Sequence, residues 1–156
     1  MINIYTDGSN VHNGKEWSYG GYAFIVEDKD QDHFIGGGSL KPNSDFPITN
    51  NRAELMAILD SICYILENNI KEATIYSDSQ WCIECATRNW KRRKNLDLWS
   101  HYNRLERECK KKQIKFKFKW VKGHIGIELN ELVDHHAGLF CKAAKPPPKQ
   151  DSIEHV

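Results

Sequence analysis

The sequence predicts an α/β domain in which a mixed five-stranded sheet carries helices on both faces, in the order βββαβααβα. Three observations carry this expectation. Three β-type runs come first, separated by short turn-rich connections, which implies an antiparallel start. From residue 51 onward helical and strand patterns alternate, which implies parallel additions to the same sheet. A 156-residue chain with 40% hydrophobic and 28% charged residues can bury one core and is too apolar to be disordered.

The elements follow in order. Ile2, Ile4 and Thr6 alternate with Asn3 and Tyr5 in a first strand that ends at Asp7-Gly8. Runs 22–27 and 33–40 are the next strands, with polar residues 28–32 as a hairpin connection. Gly20-Gly21 reads as a turn and Gly36-Gly37-Gly38 as a bulged stretch. From Asn51 the period changes: Ala53, Leu55, Met56, Ile58, Leu59, Ile62, Cys63, Ile65 and Leu66 form a helical apolar face, with Thr49-Asn50 as cap-type residues before it. Residues 73–77 are a short strand, and 79–87 and 97–111 are helices. Over 113–121, Ile114, Phe116, Phe118 and Trp120 face the core while Lys115, Lys117 and Lys119 face out. Residues 128–142 form a last helix. One domain then spans 1–144, and the Pro- and Lys-containing segment 145–156 is expected to be a flexible tail.

The formal charge of +1 conceals a segregation. Residues 1–83 carry 5 basic and 12 acidic groups, residues 84–122 carry 14 and 4, and residues 123–156 carry 3 and 5. A net of −7 beside a net of +10 suggests a surface for phosphates next to a collection of carboxylates. The longest apolar run, around 22–26, is too short to span a membrane, and the N-terminus lacks the pattern of a signal peptide. A cytoplasmic protein with no membrane partner is expected. Five cysteines, an odd number, argue against a disulfide framework. Cys82 and Cys85 have C-x-x-C spacing but lie inside a predicted helix without a second pair, so structural thiols are expected. His135 and His136 point about 100° apart on a helix, which does not make a zinc site. His12, His33, His101 and His155 read as solvated.

Two predicted strands are each followed by an aspartate, Asp7 and Asp78. In an α/β sheet the C-terminal ends of parallel strands border the ligand crevice. Glu54 lies near the start of its helix, where it can point at the same edge, and Asp134 can approach from the last helix. Four clustered carboxylates repel one another unless cations neutralise them, and oxygen-only ligands select hard ions such as Mg²⁺ or Mn²⁺. Two such ions are the apparatus of in-line phosphodiester hydrolysis.

The local wording is more specific. Tyr5-Thr6-Asp7-Gly8-Ser9, Thr49-Asn50-Asn51-Arg52-Ala53-Glu54 and Tyr76-Ser77-Asp78-Ser79-Gln80 come first. Trp120-Val121-Lys122-Gly123-His124 follows, with Asn130-Glu131-Leu132-Val133-Asp134. Together, in this order and over residues 1–144, they resemble type 1 ribonuclease H. The resemblance implies a ribonuclease H-like fold and endonucleolytic hydrolysis of the RNA strand of RNA–DNA hybrids, leaving 5′-phosphate and 3′-hydroxyl ends. It implies Asp7, Glu54, Asp78 and Asp134 as ligands of two Mg²⁺ ions, with Mn²⁺ able to substitute and Asp7 as the bridge. His124 matches a histidine that assists proton transfer or product release, in keeping with its near-neutral ordinary pKa.

The same resemblance assigns substrate contacts. Asn13, Asn50, Asn51 and Gln80 match minor-groove contacts, and amides suit a 2′-hydroxyl because they both donate and accept. Asn50 can also serve only as a helix-capping residue. Main-chain groups at Gly8 and Ser9 add contacts, since glycine permits close approach. Thr49 and Asn95 match a pocket for a DNA phosphate, in which an arginine of some relatives is Pro47 here. The clearest departure lies between Asp78 and Asn95, where many relatives insert a basic helical handle. Only the stretch Arg88-Asn89-Trp90-Lys91-Arg92-Arg93-Lys94 stands there, and its charge can grip phosphates. Trp90 either stacks on a sugar or base or anchors the loop. The lysines from 110 to 122 read mostly as a solvated outer face. A monomer is expected. The competing readings are a binding module that kept the fold, an integrase or resolvase nuclease, and a detached reverse-transcriptase ribonuclease domain. The acidic cluster speaks against the first, Asn50-Asn51 and Gly123-His124 against the second, and the missing handle is compatible with the third.

Overall fold

The computed structural model describes residues 1–122 and 128–148. The chain runs β1 (Ile2–Val11), β2 (Tyr19–Glu27), β3 (Phe34–Leu40), α1 (Asn50–Glu67) and β4 (Glu72–Ser77). It continues through α2 (Gln80–Ala86), α3 (Leu96–Lys111), β5 (Lys115–Trp120) and α4 (Glu128–Ala143). The sheet order is β3-β2-β1-β4-β5. The pairs β3–β2 and β2–β1 are antiparallel, and the pairs β1–β4 and β4–β5 are parallel. This is the predicted order and class.

Strand alternation divides the core between the two faces. Ile4, Phe24 and Ile75 point to one side, where Leu55, Ile58 and Ile62 of α1 meet Trp99 and Tyr102 of α3. Tyr5, Ala23 and Ile25 point to the other, against Leu129, Val133 and Ala137 of α4. The α1 helix starts where Thr49 caps it, its hydroxyl accepting a hydrogen bond from Arg52 N at 3.1 Å.

Three local expectations are corrected. The first strand does not end at Asp7. Its parallel pairing with β4 stops at Tyr5 and Tyr76, but antiparallel pairing with β2 continues through Asp7 to Val11. Asp7 is therefore a strand residue at the place where β1 outruns β4. The glycines are not turns or bulges either: Gly20-Gly21 belong to β2, and Gly36-Gly37-Gly38 pair with β2 in unbroken register. A Cβ on Gly21 would lie 2.6 Å from the Phe140 carbonyl carbon, so glycine there lets α4 lie directly on the sheet. Finally, Trp120 is not a core residue. β5 is an edge strand, so only Ile114 is buried, Phe116 and Phe118 are half-buried, and Trp120 is 49% exposed.

Among the described residues no helix is long and apolar enough to cross a membrane. All five cysteines are free thiols, and Cys82 and Cys85 are buried within α2 as structural thiols would be. Pro146 and Pro147 line a surface groove with Trp17 and Pro42, and residues 149–156 of the predicted tail lie outside the described residues.

Candidate active site

Three of the four predicted carboxylates converge where the central parallel strands end. Oxygens of Asp7, Glu54 and Asp78 lie within 4.8 Å of one another. β1 and β4 are neighbours, which sets Asp7 beside Asp78, the residue directly after β4. Glu54 arrives from the first turns of α1 because Gly8 allows it. A Cβ on Gly8 would lie 2.6 Å from both the Ala53 carbonyl carbon and the Glu54 nitrogen. Asp7 is 2% exposed, and its Oδ1 accepts a hydrogen bond from Gly8 N at 2.9 Å.

The electrostatics are those of a site under tension. Burial, then the charges of Asp7 and Asp78, push the Glu54 carboxyl well above the usual carboxylate range. Glu54 Oε2 is sealed from solvent and has no hydrogen-bond partner among the described residues. A buried carboxylate oxygen without a donor, within a set made only of oxygens, fits a hard divalent cation. Asp134 lies on α4, is exposed, and stands outside this trio. His124 falls in the segment 123–127, outside the described residues.

Polar residues surround the start of α1. Asn13 Oδ1 accepts from Asn10 Nδ2 at 3.1 Å and from Asn50 N at 2.9 Å, which leaves the Asn13 NH₂ group to donate outward. Asn50, Asn51 and Gln80 are exposed in the first turns of α1 and α2. The Cys82 thiol contacts the Asn51 carbonyl at 3.7 Å and ties the two helices together. Ser9 is half-buried and level with Gly21.

Thr49 and Asn95 are joined through Arg52. The Arg52 nitrogen donates to the Thr49 hydroxyl, and its Nη1 donates to Asn95 Oδ1 at 3.1 Å. The guanidinium forms a fork with Asp97 at 3.1 and 2.6 Å and lies over the Phe46 ring. Asn95 sits in the left-handed region, φ 56°, so Arg52 holds an amide that the backbone alone would place at some cost. With its oxygen engaged, that amide has its NH₂ group left to donate.

The 88–94 stretch differs from its sequence reading. Arg92 is not a surface cation. Its guanidinium lies 4.4 Å from the Trp99 ring centre and 5.2 Å from that of Tyr102. It donates to the Cys85 carbonyl at 2.8 Å, the Ala86 carbonyl at 3.2 Å and Asn103 Oδ1 at 2.7 Å. Arg88 pairs with Glu106 at 3.0 Å. Lys91, Arg93 and Lys94 remain exposed, and so does Trp90 at 46%. Arg92, not Trp90, anchors the connection.

Sequence reasoning missed Gly8 as a packing residue, Arg52 as a positioning residue and Arg92 as a staple. One signal pointed to Arg52: a cation in the first turn of a helix opposes the macrodipole, so it needs a partner elsewhere.

A mixed sheet with a tight acidic trio at the end of its central parallel strands has the architecture suited to a phosphodiester hydrolase of the carboxylate type. Residues 1–141 match the model of the RNase H family, and the chain belongs to that family. It is 31% identical over 166 aligned residues to the ribonuclease H of Treponema denticola, covering 90% of this chain and 97% of that protein. It is 34% identical over 139 residues to a ribonuclease H of Campylobacter jejuni, covering 85% of this chain and 86% of the relative. In fold it is similar to LC11-RNase H1, solved in complex with RNA/DNA hybrid (TM-score 0.72, 16% identity, 94% of this chain and all of that one).

Proposed function

We propose that this chain hydrolyses the RNA strand of RNA–DNA hybrids endonucleolytically, by a two-metal-ion mechanism that leaves 5′-phosphate and 3′-hydroxyl ends. The close trio of Asp7, Glu54 and Asp78 carries this reading, because a repulsive oxygen cluster has no use in binding alone. Two Mg²⁺ ions, or Mn²⁺ in their place, supply when bound the Lewis-acid charge for in-line displacement at phosphorus. Asp7, Glu54 and Asp78 would hold the ions, with Asp7 as their shared ligand and Asp134 joining from α4. His124 assists proton transfer or product release.

The remaining residues position the substrate. Asn13, Asn50, Asn51 and Gln80 face the hybrid with amides that distinguish a 2′-hydroxyl, helped by the main chain at Gly8 and Ser9. Thr49 and the NH₂ group of Asn95 hold a DNA phosphate, with Arg52 fixing both. Exposed Trp90 stacks on a sugar or base. The unit that does this is residues 1–144, working as a cytoplasmic monomer.

The test uses end-labelled RNA–DNA hybrid, RNA duplex and DNA duplex, each with Mg²⁺ and with chelator. Only the RNA of the hybrid is expected to be cut, and only with metal. Asp7→Asn is expected to abolish cutting while hybrid binding survives. Near wild-type turnover in that variant, or cutting in excess chelator, overturns the mechanism.

A further inference from the structure

β5 is an edge strand, and Lys115, Lys117 and Lys119 alternate along it, each exposed. The register determines which way they face. Tyr5 is level with Tyr76, and Tyr76 with Lys119. Level residues point to the same side of a sheet, so the lysines share the face that carries Tyr5 and, two residues further along β1, Asp7. The row thus begins one step behind the carboxylates and two strands to the side, about 10 Å across the sheet. From there it runs back along the flank of the molecule. The α4 helix packs against β1, β2 and β3 on this face, and among the described residues it leaves the β5 end uncovered. None of the ion pairs among the described residues involves these lysines.

Lysines on an edge strand also deter sheet-to-sheet association. That role asks only for charge along the edge. It does not ask for a row aligned with the acidic site. We propose that the row is a track for a single-stranded nucleic-acid segment that continues beyond the hybrid held at the carboxylates. Successive lysines are about 6.7 Å apart, two strand residues, which is comparable to the step between phosphates of an extended strand. A duplex, stiff over about 150 base pairs, cannot turn from the sheet end onto its flank, whereas a single strand can. The proposal rests on the hybrid-nuclease reading only for where the strand comes from.

The experiment compares the full chain with the K115Q/K117Q/K119Q variant in metal-free buffer. Equilibrium binding is measured to a blunt hybrid, to the same hybrid with a single-stranded extension at each of its four ends in turn, and to the free single strand. In the wild type, one extension tightens binding and the free strand binds. The variant loses that gain, with Kd about tenfold weaker and a salt slope shallower by about 2, three contacts at roughly 0.7 each. Its blunt-hybrid binding is unchanged, and the corresponding triple arginine variant restores the gain. Equal weakening on blunt and extended hybrids overturns the single-strand assignment. Unchanged binding everywhere, with self-association of the variant, leaves edge protection as the whole role. A wild type that binds single strands through these lysines but cuts no hybrid removes the nuclease reading and keeps the track.

Discussion

The carboxylate end of the sheet and the 88–94 connection carry opposite charges and dispose of them in opposite ways. At the sheet end, like charges are pressed together and buried, with Asp7 2% exposed and the Glu54 tip closed off from water. In the connection, Arg88 and Arg92 are satisfied by Glu106, Asn103 and backbone carbonyls, while Lys91, Arg93 and Lys94 stay in water. A chain selected for stability alone would not press a repelling trio together out of water, because desolvation and mutual repulsion both cost free energy. Charge answered from within the chain belongs to the fold. Buried charge set against its own kind points to a ligand.

Gly8→Ala would break the acidic side of this comparison most severely. The added methyl meets backbone atoms of Ala53 and Glu54, which cannot step aside as a side chain can. The start of α1 must lift from β1, at a cost of about 2–3 kcal/mol. Glu54 and the residues from Thr49 to Arg52 move with it, and misplacement of that size lowers metal-dependent cleavage on the order of 100-fold. Thermal unfolding and a cleavage assay on the same variant check both effects. Wild-type activity would show that this contact does not hold Glu54 in place.

The two sides were not equally legible in the sequence. Asp7 and Asp78 could be placed together because each follows an apolar alternating run, and two such parallel strands end at one edge. The end of β1 could not be read, because Ser9 and Asn10 carry no apolar alternation and are held in the strand by pairing with Gly21 and Gly20. Trp120 had the right parity for the core, but parity does not say which strand is the edge. Arg92 looked like a phosphate ligand because its partners, Trp99 and Tyr102, come to it only when α3 folds back against α1. Arg52 and Asp97 are 45 residues apart, a pairing that no local pattern reports.

A pair of single substitutions sharpens the basic side. Arg92→Ala removes three hydrogen bonds and two ring contacts, and a loss of about 2 kcal/mol in stability is expected. Arg93→Ala removes an exposed cation and should leave stability within about 0.5 kcal/mol. Hybrid binding should respond the other way, with a modestly raised KM and a shallower salt slope for Arg93→Ala. Denaturant unfolding and steady-state cleavage separate the two. If Arg93 proved the stabilising residue and Arg92 the one that sets KM, the division between folded and ligand-directed charge would be reversed.

The smallest effect is the most direct test of tension in the trio. The folded state raises the Glu54 pKa above its unfolded value, through burial first and then through Asp7 and Asp78. A raised carboxylate pKa means that the native state holds a proton which the unfolded state has released. Stability from this group is therefore fully present below the ordinary glutamate range and is lost as pH rises toward the higher folded value. Glu54→Gln keeps the shape and removes the titration. In metal-free buffer it should melt a few degrees above the wild type at neutral pH, with the gap closing as the solution is made acidic. Mg²⁺ should then stabilise the wild type and do less for the variant, because one ligand charge is gone. A variant less stable than the wild type without metal at neutral pH would mean that the fold itself answers the charge of Glu54. The trio would then resemble the Arg92 staple more than a ligand site.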